Sequence, residues 1–145
     1  MVNGFLAVAV AAVFVWLGMV LAISFLEAPL KFRAPGVTLQ VGLGIGRLVF
    51  RALNACEVVL AAVALSAVVL GRAPGAAVAA VGVAVAALGL QVVVVRPALT
   101  RRSDAVLADA AVAESGRSRA HLAYVGFEGL KVVALLLGGI MLLAS

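Results

Sequence analysis

Charged residues are scarce in this sequence, and so are the residue types that build conventional catalytic or metal sites. Only 12% of the 145 residues are charged and 66% are hydrophobic, and there is one cysteine and one histidine. A soluble domain carries about 25% charged residues, so this chain has too few polar side chains to cover a soluble surface. Cys56 alone can form neither an internal disulfide nor a Cys-x-x-Cys motif, and His121 alone cannot form a multi-histidine metal site. We therefore predict no bound metal and no cofactor.

The net charge is positive, but its distribution argues against nucleic-acid binding. The chain has 11 basic and 6 acidic residues, and its sequence pI is about 10.7. The basic residues flank apolar runs, which membrane topology explains better than a nucleic-acid surface does. Gly42, Gly44 and Gly46 lack the preceding strand and the spacing of a dinucleotide-binding loop. We predict that a lipid bilayer surrounds the chain and that nucleic acid is not a partner.

The long apolar runs predict a single all-α domain, a polytopic membrane protein with four transmembrane helices in an antiparallel bundle. The predicted spans cover about 5–26, 48–70, 74–95 and 119–143. Glu27-Ala28-Pro29 and Arg96-Pro97 are expected to end the first and third spans, because proline interrupts helical hydrogen bonding. Thr38 is expected to cap the helix that holds the second span. Residues 98–118 are expected to form a loop or a surface helix.

The distribution of basic residues predicts the orientation of the chain. Nine of the eleven fall in the two long connections or at their helix edges: Lys31, Arg33, Arg47, Arg51, Arg96, Arg101, Arg102, Arg117 and Arg119. The positive-inside rule then places both long connections in the cytoplasm and both termini outside, in the plasma (inner) membrane. Gly75, Gly82 and Gly89 form a strip along the third span that fits close packing within the bundle or between subunits of a homo-oligomer.

Polar residues inside the second and fourth spans mark the candidate site. In span 4 they are spaced at i, i+3, i+7 and i+10, within about 80° of one helix face: His121, Tyr124, Glu128 and Lys131. Span 2 contributes Arg47, Arg51, Asn54 and Glu57. Ionisable residues are costly in lipid, so we expect Glu57, Glu128 and Lys131 to pair, with the others above them in a cytoplasm-facing pocket that Glu27 and Gln91 could join. The alternative is an ion network that only fixes helix register.

Short motifs along nearly the whole chain resemble a family of uncharacterised small four-helix bacterial membrane proteins. These motifs are Glu27-Ala28-Pro29 followed by Phe32, Arg96-Pro97, and His121-Leu122-Ala123-Tyr124. That family is similar to a eukaryotic transmembrane protein linked to cisplatin resistance and, more distantly, to the copper-resistance D membrane domain. The resemblance implies an integral membrane protein without an assigned reaction. It does not imply copper binding, since the chain lacks histidine and methionine clusters.

A second resemblance covers span 2 alone. The stretch from Arg51 to Glu57 is similar to the glutathione-binding segment of membrane-associated eicosanoid and glutathione enzymes. It implies a glutathione site built from Arg47, Arg51, Asn54 and Glu57. Asn54 follows Arg51 by three residues, where that family usually has four, and this difference changes the helix face.

Three functions are consistent with these patterns. The leading one is a small membrane protein whose polar pocket binds or permeates a small polar or charged solute, with no catalytic residue identified. The second is a membrane-embedded glutathione-dependent transferase. The third is an accessory or assembly subunit whose ion pairs are structural.

Overall fold

The computed structural model describes residues 3–108 and 119–145, so the predicted loop or surface helix is described only as far as residue 108. The described ranges are helical and contain no strand. Their main helices are α1 (Gly4–Arg33), α2 (Leu39–Leu70), α3 (Gly75–Ala108) and α4 (Arg119–Leu143). All four are long and apolar enough to cross a membrane.

Two helices continue past the prolines that were expected to end them. In α1 a π-helical segment, Leu21–Glu27, precedes Pro29, and the chain stays helical to Arg33. In α3 a second π-helical segment, Gln91–Val95, precedes Pro97, and the helix runs to Ala108. A proline lacks an N–H and its ring clashes with the carbonyl four residues earlier. In both helices that carbonyl lies in the wider π-helical turn, which leaves room for the proline ring. Each helix therefore continues past its proline.

The ends of the helices are fixed by local hydrogen bonds. The Thr38 hydroxyl accepts a bond from the Val41 amide at 3.2 Å, which confirms the predicted N-cap of α2. At the other end of α2 the Arg72 amide donates to Val69 and the Ala73 amide to Val68. This pair of bonds defines a Schellman turn, whose left-handed position is held by Arg72 with φ of 54°.

The four helices form a ring in which each packs against two neighbours. α1 contacts α2 and α4, and α3 contacts α2 and α4, so α1 lies opposite α3 and α2 opposite α4. Buried positions recur at alternating steps of three and four residues along every helix. They are 6, 9, 13, 16 and 20 in α1; 54, 57, 61, 64 and 68 in α2; 77, 81, 84, 88, 91 and 95 in α3; and 124, 128, 131, 135, 138 and 142 in α4. This 3.5-residue spacing is that of the contact seam in helical bundles.

The glycine strip of α3 does not serve packing inside the described part of the chain. A Cβ atom at Gly75, Gly82 or Gly89 would have no neighbour within 4 Å. The close approach between helices occurs on α4 instead, where a Cβ at Gly139 would lie 2.7 Å from the Phe14 ring. Of the two roles predicted for the strip, only packing between subunits stays a prediction.

Candidate functional site

Three charged side chains meet in the interior of the bundle. Lys131 Nζ lies 2.5 Å from Glu57 Oε2 and 2.6 Å from Glu128 Oε1. All three residues have no exposed surface. Glu57 is on α2 and Lys131 on α4, so this contact spans the bundle between opposite helices. We call Glu57, Glu128 and Lys131 the charged triad.

The other two helices complete a polar layer around the charged triad. Trp16 on α1 donates its indole N–H to Glu57 Oε2 at 2.8 Å. Gln91 on α3 donates its amide to Glu128 Oε1 at 2.7 Å. Each odd-numbered helix therefore donates one N–H to a carboxylate on the helix that follows it, and both carboxylates contact the same lysine.

The polar layer contains several hydrogen bonds and ion pairs, but not every carboxylate oxygen in it is hydrogen-bonded. With all three members ionised, the charged triad has two negative charges and one positive charge, a formal excess of one negative charge. Glu57 Oε1 and Glu128 Oε2 are buried and make no hydrogen bond in the described part of the chain. A charged side chain at the centre of a membrane-spanning helix costs about 2.5 kcal/mol or more on insertion scales. The excess charge in this layer therefore lowers the stability of the bundle.

A cavity of about 560 Å³ lies against one side of this layer. It is bounded by the last part of α1, the first half of α2, the segment of α3 around Pro97 and the start of α4. Glu128 is the member of the charged triad that lines it. We call the region near Glu128 the inner end and the region near Lys31 and Arg96 the basic end.

Of the three cations that line the cavity, Lys31 and Arg47 each contact one carboxylate, and Arg96 contacts none within the described ranges. The Lys31 ammonium lies 3.5 Å from the Glu27 carboxylate. It also lies 5.3 Å from the ring centre of Phe50 and 5.5 Å from that of Phe32. Arg96 donates to the Phe50 carbonyl at 3.3 Å and forms no ion pair within the described ranges.

Arg47, the third cation of the lining, pairs with Asp104. It also donates to the Thr100 carbonyl at 3.3 Å. Both contacts tie the start of α2 to the extension of α3 beyond Pro97.

The walls between the two ends are mainly apolar and aromatic. Phe50 and Tyr124 pack edge to face with ring centres 5.4 Å apart, and Phe25 and Phe32 contribute to the lining from α1. Asn54 Oδ1, a further atom of the lining, is buried and has no hydrogen-bond partner in the described ranges. The Ser24 and Tyr124 hydroxyls also line the cavity and lie close to each other.

The structure brings together most of the residues singled out from the sequence. Arg47, Asn54, His121, Tyr124 and Glu128 line the cavity, whereas Glu57 and Lys131 form the layer behind it. His121 is exposed where α4 begins, at the open side of the cavity.

Arg51 is separate from this group, because it is exposed and lies outside the lining. Of the two residues that could join the cluster, Gln91 does and Glu27 instead faces Lys31. The stretch from Arg51 to Glu57 therefore does not present one common surface, and this geometry lends no support to a glutathione site.

Sequence reasoning did not include Trp16 in the candidate site, although its indole N–H bonds Glu57. The only signal was chemical, since a buried indole N–H requires an acceptor. Lys31 and Arg96 were used for topology alone, and their meeting at one cavity depends on α1 and α3 continuing past their prolines.

No group of three or more histidine, cysteine, aspartate or glutamate residues suited to a metal ion occurs in the described part of the chain. Comparisons with protein-family models, with curated proteins and with solved structures found no match to this chain. The two resemblances drawn from short motifs therefore stay predictions.

Proposed function

We propose that this protein is a multi-pass protein of the plasma (inner) membrane that binds or permeates a small polar or charged solute in the cavity. Four helices long and apolar enough to cross a membrane support the first part. One observation carries the second part: the cavity of about 560 Å³ ends at Glu128, a member of the buried charged triad. A bundle that served only as an anchor would be more stable with this space filled by apolar side chains.

We also propose that the four spans alternate in direction and that both termini lie outside. The connections at 34–38 and 71–74 are too short to carry the chain back across a membrane. Lys31, Arg47 and Arg96 share the basic end, so the positive-inside rule assigns that end to the cytoplasm. The cavity would then open toward the cytoplasm.

Binding can be measured through the single tryptophan of the chain. Trp16 is linked to the inner end through Glu57, Lys131 and Glu128, so we expect its fluorescence to respond to binding in the cavity. Hexanoate is a suitable probe, because its carboxylate matches the basic end and its chain matches the apolar walls. We expect a saturable change in Trp16 emission when hexanoate is added to the purified protein in detergent.

A cavity-filling variant and a matched control test where the probe binds. Ala28 lines the cavity, whereas Ala22 lies on the same helix, is exposed and lies outside the lining. Ala28→Phe should weaken hexanoate binding by about tenfold or more, the equivalent of 1.4 kcal/mol, and Ala22→Phe should leave it within about twofold. Equal effects of the two variants would contradict binding in the cavity.

A structural role for the charged triad is the second candidate, and one observation favours it. Glu57 and Lys131 do not line the cavity, and their contacts join opposite helices. If the triad only fixes the bundle, the charge-free variant Glu57→Gln/Lys131→Met/Glu128→Gln should keep both its fold and its hexanoate affinity. If the triad serves the cavity, the fold should persist while the affinity changes.

Cysteine labelling tests the orientation. In a Cys56→Ala background, Arg33→Cys and Arg72→Cys place one exposed thiol at each end of the bundle. An impermeant maleimide applied to intact cells should label position 72 and not position 33. The reverse pattern would overturn the proposed orientation.

A further inference from the structure

The inner end of the cavity is rich in hydrogen-bond acceptors. Glu128 Oε2 and Asn54 Oδ1 are buried and unpartnered in the described ranges, and both residues line the cavity. The Tyr124 hydroxyl, which lies near the Glu128 carboxylate, also faces this part of the cavity. A buried acceptor without a donor costs about 1–3 kcal/mol, and more when it is charged. A ligand with a strong donor would recover this free energy.

Charge balance specifies what kind of donor fits best. The charged triad has a formal excess of one negative charge when ionised, and one of its two free carboxylate oxygens belongs to Glu128, which lines the cavity. A primary ammonium group supplies one positive charge and up to three donors, which matches a carboxylate, an amide oxygen and a hydroxyl. Such a group would neutralise the excess charge.

The basic end favours a negatively charged group on the same ligand. A simple cation would have to pass Lys31, which pairs with Glu27 at 3.5 Å, and Arg96, which has no ion pair within the described ranges. Like charges at that end disfavour a lone cation, whereas an anionic group would pair with both.

The helix geometry sets the spacing between the two ends. Gln91 bonds Glu128, and Arg96 follows it by five residues on α3. Arg96 also donates to the Phe50 carbonyl on α2, and Asn54 follows Phe50 by four residues on that regular α-helix. Four residues rise about 6 Å, so the ammonium and the anionic group should stand about that far apart.

We propose that the cavity binds a zwitterion, a molecule with a primary ammonium at the inner end and a carboxylate or phosphate at the basic end, joined by an apolar segment. This inference rests on the proposed function and names its ligand class. Glu128 and Asn54 accept from the ammonium, and Lys31 and Arg96 bind the anion.

Three probes of matched length separate the contributions of the two ends. 6-Aminohexanoate has both charges, hexanoate has only the carboxylate and hexylamine has only the ammonium. Affinities are read from Trp16 emission in detergent. We expect 6-aminohexanoate to bind about tenfold or more tightly than either single-charge probe, since one additional charged hydrogen bond gives at least that factor.

Variants at the inner end test the assignment of the ammonium. Glu128→Gln should remove the advantage of 6-aminohexanoate over hexanoate, because only 6-aminohexanoate has an ammonium that can donate to Glu128. Asn54→Leu should reduce the same advantage in part, and it keeps the inference testable if Glu128→Gln does not fold. Arg51→Gln changes an exposed residue of the same helix outside the lining and should alter neither affinity.

The same chemistry occurs in a lipid headgroup that has a phosphate and a primary ammonium. Reconstitution into phosphatidylcholine vesicles with or without phosphatidylethanolamine distinguishes the two sources. If the lipid is the ligand, phosphatidylethanolamine should compete with 6-aminohexanoate and raise its apparent Kd. If the ligand is a free solute, the apparent Kd should be the same in both vesicles.

The results separate the inference from the proposal on which it rests. If hexanoate or hexylamine binds as tightly as 6-aminohexanoate, or if the advantage survives both inner-end variants, the zwitterion assignment is wrong. Binding of hexanoate alone would leave the proposed solute site standing. If none of the three probes binds in detergent or in vesicles, both the assignment and the proposed function fail.

Discussion

Replacement of Lys131 by methionine tests the energetics of the charged triad most directly. Methionine has a similar length and no charge, so the packing of α4 is largely kept. The lysine contacts both Glu57 and Glu128, at 2.5 and 2.6 Å, and all three residues are fully buried. The variant therefore leaves two carboxylates facing each other across the bundle, with only the N–H donors of Trp16 and Gln91.

Two estimates of the loss in unfolding free energy differ enough for an experiment to distinguish them. If only two hydrogen bonds of average strength for a membrane protein are lost, the destabilisation is about 1.2 kcal/mol. If the loss of the cation leaves uncompensated buried charge, the expected cost is about 3–5 kcal/mol. We expect the larger value, because the variant raises the formal excess in the layer from one negative charge to two.

Unfolding in mixed micelles with increasing sodium dodecyl sulfate, followed by Trp16 emission and circular dichroism, measures the difference. The matched control is Glu57→Gln/Lys131→Met/Glu128→Gln, which contains no charge in this layer. Its free energy of unfolding should lie within about 1 kcal/mol of that of the native chain, or above it. A single variant as stable as the native chain, or a charge-free control as unstable as the single variant, would refute the electrostatic reasoning.

Three further predictions concern the fold. Arg72→Gly should stabilise the protein by about 1 kcal/mol, because it relieves a left-handed φ of 54° in the α2–α3 turn; an unchanged or lower thermal midpoint would contradict this. Gly139→Ala should cost about 1–3 kcal/mol in micelle unfolding, since its Cβ would lie 2.7 Å from Phe14, whereas Gly126→Ala on the same helix meets open space and should be neutral or stabilising. Asn3→Ala should cost about 1 kcal/mol by the same assay, because Asn3 caps α1; a cost below about 0.3 kcal/mol would count against that role.

The sequence was sufficient to predict the helical class and the helix that carries most of the site. Tyr124, Glu128 and Lys131 are the polar members of the α4 seam, and their spacing alone indicated a shared face. The seams of α1 and α3 could not be read in the same way. Apolar residues surround those helices on all sides, so the hydrophobic pattern does not distinguish the face toward the core from the face toward lipid.

The prediction that Arg51 belongs to the candidate site shows a limit of reasoning from residue spacing. Arg51 and Glu57 are six residues apart, which separates them by about 120° around a helix. Glu57 lies at the centre of the buried face of α2, so the same rotation places Arg51 outside it. Trp16 illustrates the opposite limit, because its partner lies 41 residues away on another helix and no local spacing connects the two.

The prolines of α1 and α3 have a consequence for how this bundle can move. Each follows a widened turn, and the two helices stand on opposite sides of the ring. Their hydrogen-bonding ladders are interrupted at the cavity walls, so these walls bend at lower cost than regular helix does. α2, with Glu57, is an uninterrupted helix, and so is the described length of α4, with Lys131. We therefore expect any expansion or contraction of the cavity to occur through α1 and α3, while α2 and α4 keep their buried charges in contact.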